Sequence, residues 1–239
     1  LAPLCKDRPK GLTPAYLEPD LSPGASFLIL KMRARLVAAK RAKERGERVD
    51  ETFMPLFQMT SVFNDGAIEE AYEAYAEQPL IAPLARELGM TGESWETGVQ
   101  PMIAAYTHSS EGRPKRVFDR AYGKQDSAIA LPGGHGQCFR VLAPTLRALH
   151  DRGIRFAYLG NVDNLGYLPD PVELALLALS GQPAAFDFSI RTNVDVKGGI
   201  LVETSDEAPG GATRRTVADI GPAISFDEVK RLEASGSSI

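Results

Sequence analysis

Two apolar runs, each ending in a polar turn, constrain this chain more than any other feature. Ala128-Ile-Ala-Leu131 runs into Pro132-Gly-Gly-His-Gly136, and Ile154-Arg-Phe-Ala-Tyr-Leu159 runs into Gly160-Asn-Val-Asp-Asn-Leu-Gly166. Between them, residues 137–142 and a second segment opened by Pro144 and closed by Gly153 read as helix, because proline suits a first helical turn and glycine a helix end. The order is strand, turn, helix, strand, turn. In a parallel sheet such strands deliver their turns to one edge, where ligands of open α/β sheets gather.

The remainder of the chain is consistent with that pattern. Residues 1–25 are rich in proline and glycine and read as a long loop. Ser26 caps a helix expected over 27–45, with Phe27, Leu30, Leu36 and Val37 as its apolar face and Gly46 as its stop. The basic block 40–45 at its end suits a solvated helix C-terminus. Residues 53–57 read as a short strand, 66–77 as a helix capped by Asn64-Asp65, and 81–88 as a helix closed by Gly89. Residues 102–106 and 128–131 read as strands, 154–159 as a buried strand, and 171–180 as a helix started by Asp170-Pro171. Strands follow at 185–190 and 199–203, with 214–220 returning as a hairpin strand beyond a turn-rich loop at 205–211. Strands alternating with helices indicate an α/β fold with a mostly parallel sheet. The 239 residues are expected to form a single catalytic domain over 1–239.

Composition narrows the partners. A net charge of −4 argues against nucleic acid, whose phosphate backbone favours basic surfaces. No apolar run is long enough to span a membrane, and no signal-peptide core follows the basic N-terminal residues. Cys5 and Cys138 form neither a disulfide framework nor a CxxC site, so reduced thiols and a cytoplasmic location are expected.

The polar residues at the strand ends are the candidates for chemistry. Gly133, Gly134 and Gly136 let backbone N–H groups approach a ring or a phosphate, although such a turn can also be purely structural. His135 sits inside that turn, where an imidazole either contacts a ligand or bonds the loop. Asp163, flanked by Asn161 and Asn164, is placed to hold a magnesium ion that bridges phosphates, or else to end the strand in an Asx turn. Lys197, beside Gly198 and Gly199, stands where a sugar phosphate or a simple chain reversal would use it. His108 and His150 have no such setting and read as surface residues.

Taken in order, these motifs resemble the UDP-glucose pyrophosphorylase family, the UTP–glucose-1-phosphate uridylyltransferases, together with its UDP-N-acetylhexosamine relatives. Cys5-Lys-Asp-Arg-Pro-Lys10 is similar to the family's CKGPK segment, and Leu56-Phe-Gln-Met-Thr-Ser61 to its strand ending in Met-Asn-Ser. Pro132-Gly-Gly-His-Gly136 resembles PPGHG, Gly160-Asn-Val-Asp-Asn-Leu-Gly166 resembles SNIDNLG, and Asp195-Val-Lys-Gly-Gly199 matches ADVKGG. The resemblance implies a Rossmann-like nucleotidyltransferase domain, with a mixed, mostly parallel central sheet flanked by helices. It implies that Lys10 contacts the triphosphate of UTP, that Gln100 faces the uracil, and that Gly134 approaches the base. His135 would meet the sugar, Asn161 would hold its hydroxyls, and Asp163 would bind magnesium. Lys197 and Gly198 would line the sugar phosphate. Asp219 stands where the family has a sugar-holding glutamate, and Thr60 replaces a family asparagine.

The family's glycine-rich loop, GGxGTxxG, belongs just upstream of Cys5 and is not in the sequence, nor is a C-terminal region with a further phosphate-binding lysine. The chain is therefore expected to be incomplete at both ends. The activity implied for the whole protein is transfer of a uridylyl group from UTP to a sugar 1-phosphate, giving a UDP-sugar and pyrophosphate. The histidine of the glycine turn favours glucose 1-phosphate, whereas the paired Gly133-Gly134 favours N-acetylglucosamine 1-phosphate. A nucleotide-sugar glycosyltransferase is a rival, but Asp163-Asn164-Leu165 lacks the second acid of an Asp-x-Asp pair. A non-catalytic nucleotide-sugar binder is the other rival.

Overall fold

A computed structural model describes residues 7–91, 95–106, 116–187, 200–207 and 213–220, the last two segments by their backbone. The chain divides into two compact units, Leu1–Ser180 and Gly181–Ile239.

The first unit is organised on helix α1 (Phe27–Glu44). Ser26 caps it, its hydroxyl accepting from the Ile29 N–H at 3.3 Å. That bond satisfies one of the N–H groups that a helix start leaves without a partner. The chain leaves the helix at Gly46, with φ of 83°. The buried stripe runs through Leu28, Met32, Arg35, Leu36 and Ala39, the spacing that one helical face requires. Leu30 and Val37, expected on that face, are only half-buried.

Strand β1 (Leu56–Ser61) begins later than the expected 53–57 run. Met54 adopts φ of 48° and Pro55 offers no N–H, so extended pairing starts only beyond them. Helix α2 (Asp65–Glu73) continues into a 3₁₀ turn, Ala74–Glu77, and helix α3 (Ala82–Leu88) closes at Gly89 in the left-handed conformation. Strand β2 (Trp95–Gln100) then pairs parallel with β1, from Leu56↔Trp95 to Ser61↔Gln100. The core between these elements includes Met32, Leu36, Ile68, Tyr72, Ile81 and Met90. Trp95 packs against it with its ring stacked on Tyr72, the centroids 4.6 Å apart. Such a stack contributes about 0.5–1.5 kcal/mol beyond the burial of its area.

Strands β3 (Met102–Ala104) and β4 (Ala130–Pro132) pair antiparallel. Helix α4 (Cys138–Val141) and helix α5 (Ala143–Asp151) follow, with Pro144 in the first turn of α5 and Gly153 at φ of 95° beyond it. Helix α6 (Pro171–Ser180) starts where the Asp170 carboxylate accepts from the Val172 N–H at 2.7 Å.

Residues 154–159 do not form the expected strand. A strand needs a neighbour for its N–H and C=O groups, and no described strand pairs with them. Phe156 and Leu159 are each 42% exposed, so the apolar run is not buried among the described residues. Its first amide, Ile154, instead closes the end of α5 by donating to the Leu149 carbonyl.

In the second unit β5 (Ile200–Glu207) and β6 (Thr213–Ile220) form an antiparallel hairpin. The first strand extends into the loop expected at 205–211. Of the strand expected over 185–190, residues 185–187 are irregular and the remainder lies outside the described residues. The described architecture is therefore α/β, helices with three two-stranded sheets, one parallel and two antiparallel.

Candidate functional site

Lys10 opens a 3₁₀ turn, Lys10–Leu12, that lies against α1 and α2. Gly11 is buried in that turn. A methyl group on it would stand 3.5 Å from Ile68, 3.6 Å from Val162 and 3.9 Å from Leu28. The Lys10 turn thus packs against the loop that carries Val162 and Asp163, at a distance where a Cβ on Gly11 would make ordinary van der Waals contact. Across this contact Lys10 Nζ donates to Asp163 Oδ1 at 2.9 Å, joining residues 153 apart in sequence. Both side chains remain partly open to solvent, 38% for Lys10 and 25% for Asp163.

Partial burial pushes the Asp163 carboxyl upward, but the hydrogen bond and charge of Lys10 outweigh it and hold the group below its ordinary value. The loop itself consists of overlapping turns. Asn164 N–H donates to the Asn161 carbonyl at 3.1 Å, Leu165 N–H to the Asp163 carbonyl at 3.0 Å, and Tyr167 N–H to the Asn164 carbonyl at 3.4 Å. The Tyr167 ring folds back over Gly160, where any Cβ would meet it at 2.9 Å. Asn161 is exposed on this loop.

A second group forms through strand register. Met102 pairs with Pro132, so Gln100, at the end of β2, and Gly134, just beyond β4, both lie two residues from one cross-strand pair. Gly134 has φ of 98° and ψ of 164°, a conformation essentially reserved for glycine. His135 follows it in an exposed 3₁₀ turn, His135–Gln137. The Gln100 Oε1 atom is buried without a hydrogen-bond partner, as is Gln137 Oε1. A buried amide oxygen left unpaired costs about 1–3 kcal/mol, so each is suited to a donor on a ligand. The Gln137 amide lies directly against Gly133, so a side chain there would have to displace it.

The structure thus brings Lys10 to Asp163, with Asn161 on the same loop, and places Gln100 and Gly134 each two residues from the Met102–Pro132 pair. Lys197 and Gly198 lie outside the described residues. Asp219 belongs to the second unit, in β6 opposite Leu201. Thr60, at the buried end of β1, donates its hydroxyl to the Asp65 carboxylate and so ties that strand end to the start of α2.

Sequence reasoning passed over Lys31, Arg35 and Gln137. Lys31 Nζ donates to the Tyr167 carbonyl at 2.8 Å. Arg35, buried in α1, donates to the carbonyls of Phe53 and Met54 at 2.9 Å and of Glu51 at 3.0 Å. Both cations stand four residues apart on the apolar stripe of α1, and that interruption was the available signal.

Two clefts lie elsewhere. One, of about 180 Å³, is lined by Pro55, Phe57, Leu149, Ile154 and Phe156 among others, and the other includes Glu51, Leu56 and Trp95. Both adjoin the start of β1, away from the strand ends that carry Thr60 and Gln100, and none of the expected site residues lines either.

Residues 114–209 match the family model for UTP–glucose-1-phosphate uridylyltransferase. That match supports membership of the UDP-glucose pyrophosphorylase family. It spans the glycine turn with His135, the loop with Asn161 and Asp163, and the Lys197–Gly198 segment. No match was found among curated proteins.

Proposed function

We propose that the complete protein transfers a uridylyl group from UTP to a sugar 1-phosphate, with glucose 1-phosphate as the first candidate. The observation that carries this reading is the Lys10–Asp163 pair. Two motifs of the family resemblance that stand 153 residues apart meet there at 2.9 Å, and one of them lies inside the matched segment. The fold proposed for the complete domain is the Rossmann-like nucleotidyltransferase fold, with a mixed, mostly parallel sheet.

In this reaction a phosphate oxygen of the sugar 1-phosphate attacks the α-phosphorus of UTP in line, and the bond to pyrophosphate breaks. The nucleophile is already an anion, so no strong general base is required. The difficulty is to hold two polyanions side by side, which makes positioning and charge neutralisation the main contributions. Lys10 supplies a cation for the triphosphate. By the resemblance, Gln100 and the Gly134 backbone would face the uracil, His135 and Asn161 would hold the sugar, Lys197 and Gly198 would line the sugar phosphate, and Asp219 would take the place of the family's sugar-holding glutamate.

Magnesium fits this site on one condition. Among the described residues no group of three or more His, Cys, Asp or Glu side chains could cage a metal. Asp163 offers one carboxylate, and its Oδ1 is already bonded to Lys10. A single carboxylate suits an ion that takes its other oxygens from phosphates and water. When bound there, magnesium would neutralise charge on the phosphates.

The test is pyrophosphate release by the complete protein from UTP and glucose 1-phosphate with magnesium present. UTP binding without pyrophosphate release would favour a binding protein. Release of UDP from a UDP-sugar and an acceptor would favour a glycosyltransferase. The second reading of the substrate is N-acetylglucosamine 1-phosphate, which the adjacent Gly133 and Gly134 favour, and a panel of sugar 1-phosphates separates the two.

A further inference from the structure

We propose that Lys31 is a positioning residue, which fastens the 161–167 loop to α1 and thereby sets Asp163 opposite Lys10. Lys31 belongs to none of the motifs that carry the family resemblance. It projects from the second turn of α1, a helix anchored by the buried Leu28, Met32, Leu36 and Ala39. Its Nζ donates to the Tyr167 carbonyl at 2.8 Å across 136 residues of sequence, and the contact is partly buried.

Tyr167 is the last residue of the turn that starts at Asn161, so this bond holds the loop at its far end. Lys10, through Asp163, holds it in the middle. An ammonium group fits this position because it donates to a carbonyl while its charge favours the nearby Asp163 carboxylate. Burial holds the Lys31 pKa below its ordinary value, and the Asp163 charge offsets this only in part. Lys10 is bonded to the Asp163 carboxylate, and Lys31 feels its charge.

The role given to Asp163 here rests on the uridylyltransferase reading, but the fastening of the loop does not. The test therefore has two readouts on the full chain, Lys31→Met and Lys31→Arg beside the unmodified protein. Hydrogen exchange is followed at the amides of Asn164, Leu165 and Tyr167, with α3 as the internal control. In Lys31→Met these loop amides exchange about tenfold faster while α3 is unchanged, and arginine, which keeps the donor and the charge, restores most of the protection. In the pyrophosphate assay Lys31→Met lowers kcat by about tenfold, the scale of losing a group that orients a ligand, and shifts KM for UTP much less.

Unchanged loop exchange in Lys31→Met would overturn the proposal. So would an equal loss of protection in the loop and in α3, since Lys31 would then serve the core and not the loop. If the unmodified protein releases no pyrophosphate from any sugar 1-phosphate, the proposed function fails, and the exchange result still decides the role of Lys31.

Discussion

Asp163 is the residue on which most of the proposed chemistry converges. Its carboxylate is held by Lys10, and its loop by Lys31. Asp163→Ala is expected to slow pyrophosphate release by about 2–4 kcal/mol in the barrier, the usual scale for one charge-stabilising group. The pH dependence of stability has a definite sign. The Asp163 pKa is lowered in the folded protein, so its pairing stabilises the fold fully above the ordinary carboxylate value and is lost as pH falls through the folded value. The urea midpoint of the unmodified protein should therefore exceed that of Asp163→Asn near neutral pH, and the gap should shrink below about pH 4. A gap that stays constant into acid would contradict the pairing. Arg35 makes a prediction about folding alone. Arg35→Met removes the buried guanidinium that donates to the carbonyls of Phe53 and Met54, and should cost about 2–4 kcal/mol in urea unfolding. Lys10 and Asp163 were legible in the sequence because each lies in a short motif. Lys31 and Arg35 were not, because a cation on an apolar helical stripe shows its role only when its carbonyl partners, distant in sequence, are in place.

Helix boundaries were the most legible of the elements. Ser26, Pro144, Asp170 and the glycines at 46, 89 and 153 act through local backbone geometry, which sequence records directly. Strand pairing depends on partners elsewhere, and there the expectations diverged. Residues 154–159 read as a buried strand by composition, yet no described strand pairs with them. Residues 128–131 read as one strand of a parallel sheet, and the pairing seen is antiparallel, to β3, over Ala130–Pro132. The turn beyond β4 makes its own prediction. Gly134→Ala forces a side chain into a conformation that glycine alone adopts readily, at a cost of about 1–3 kcal/mol, and displaces the Gly134 backbone. KM for UTP should rise in this variant. An unaltered KM would remove Gly134 from the nucleotide site.

At the scale of the whole molecule, the family match and the contacts describe overlapping but different parts of the chain. The match spans residues 114–209, whereas Lys10 and Gln100 lie outside it. The first unit nevertheless brings Lys10 to Asp163, and strand register places Gln100 and Gly134 each two residues from the Met102–Pro132 pair. This convergence was only half legible in sequence, which supplied the order of the motifs but not the packing of the Lys10 turn against the 161–167 loop that makes the first contact. The most direct measurement is the rate of pyrophosphate release from UTP and a sugar 1-phosphate, compared between the complete protein and its folded Asp163→Ala variant. The account predicts release by the first and a loss of most of that rate in the second. Equal rates in the two, or no release by the complete protein with any sugar 1-phosphate, would contradict it.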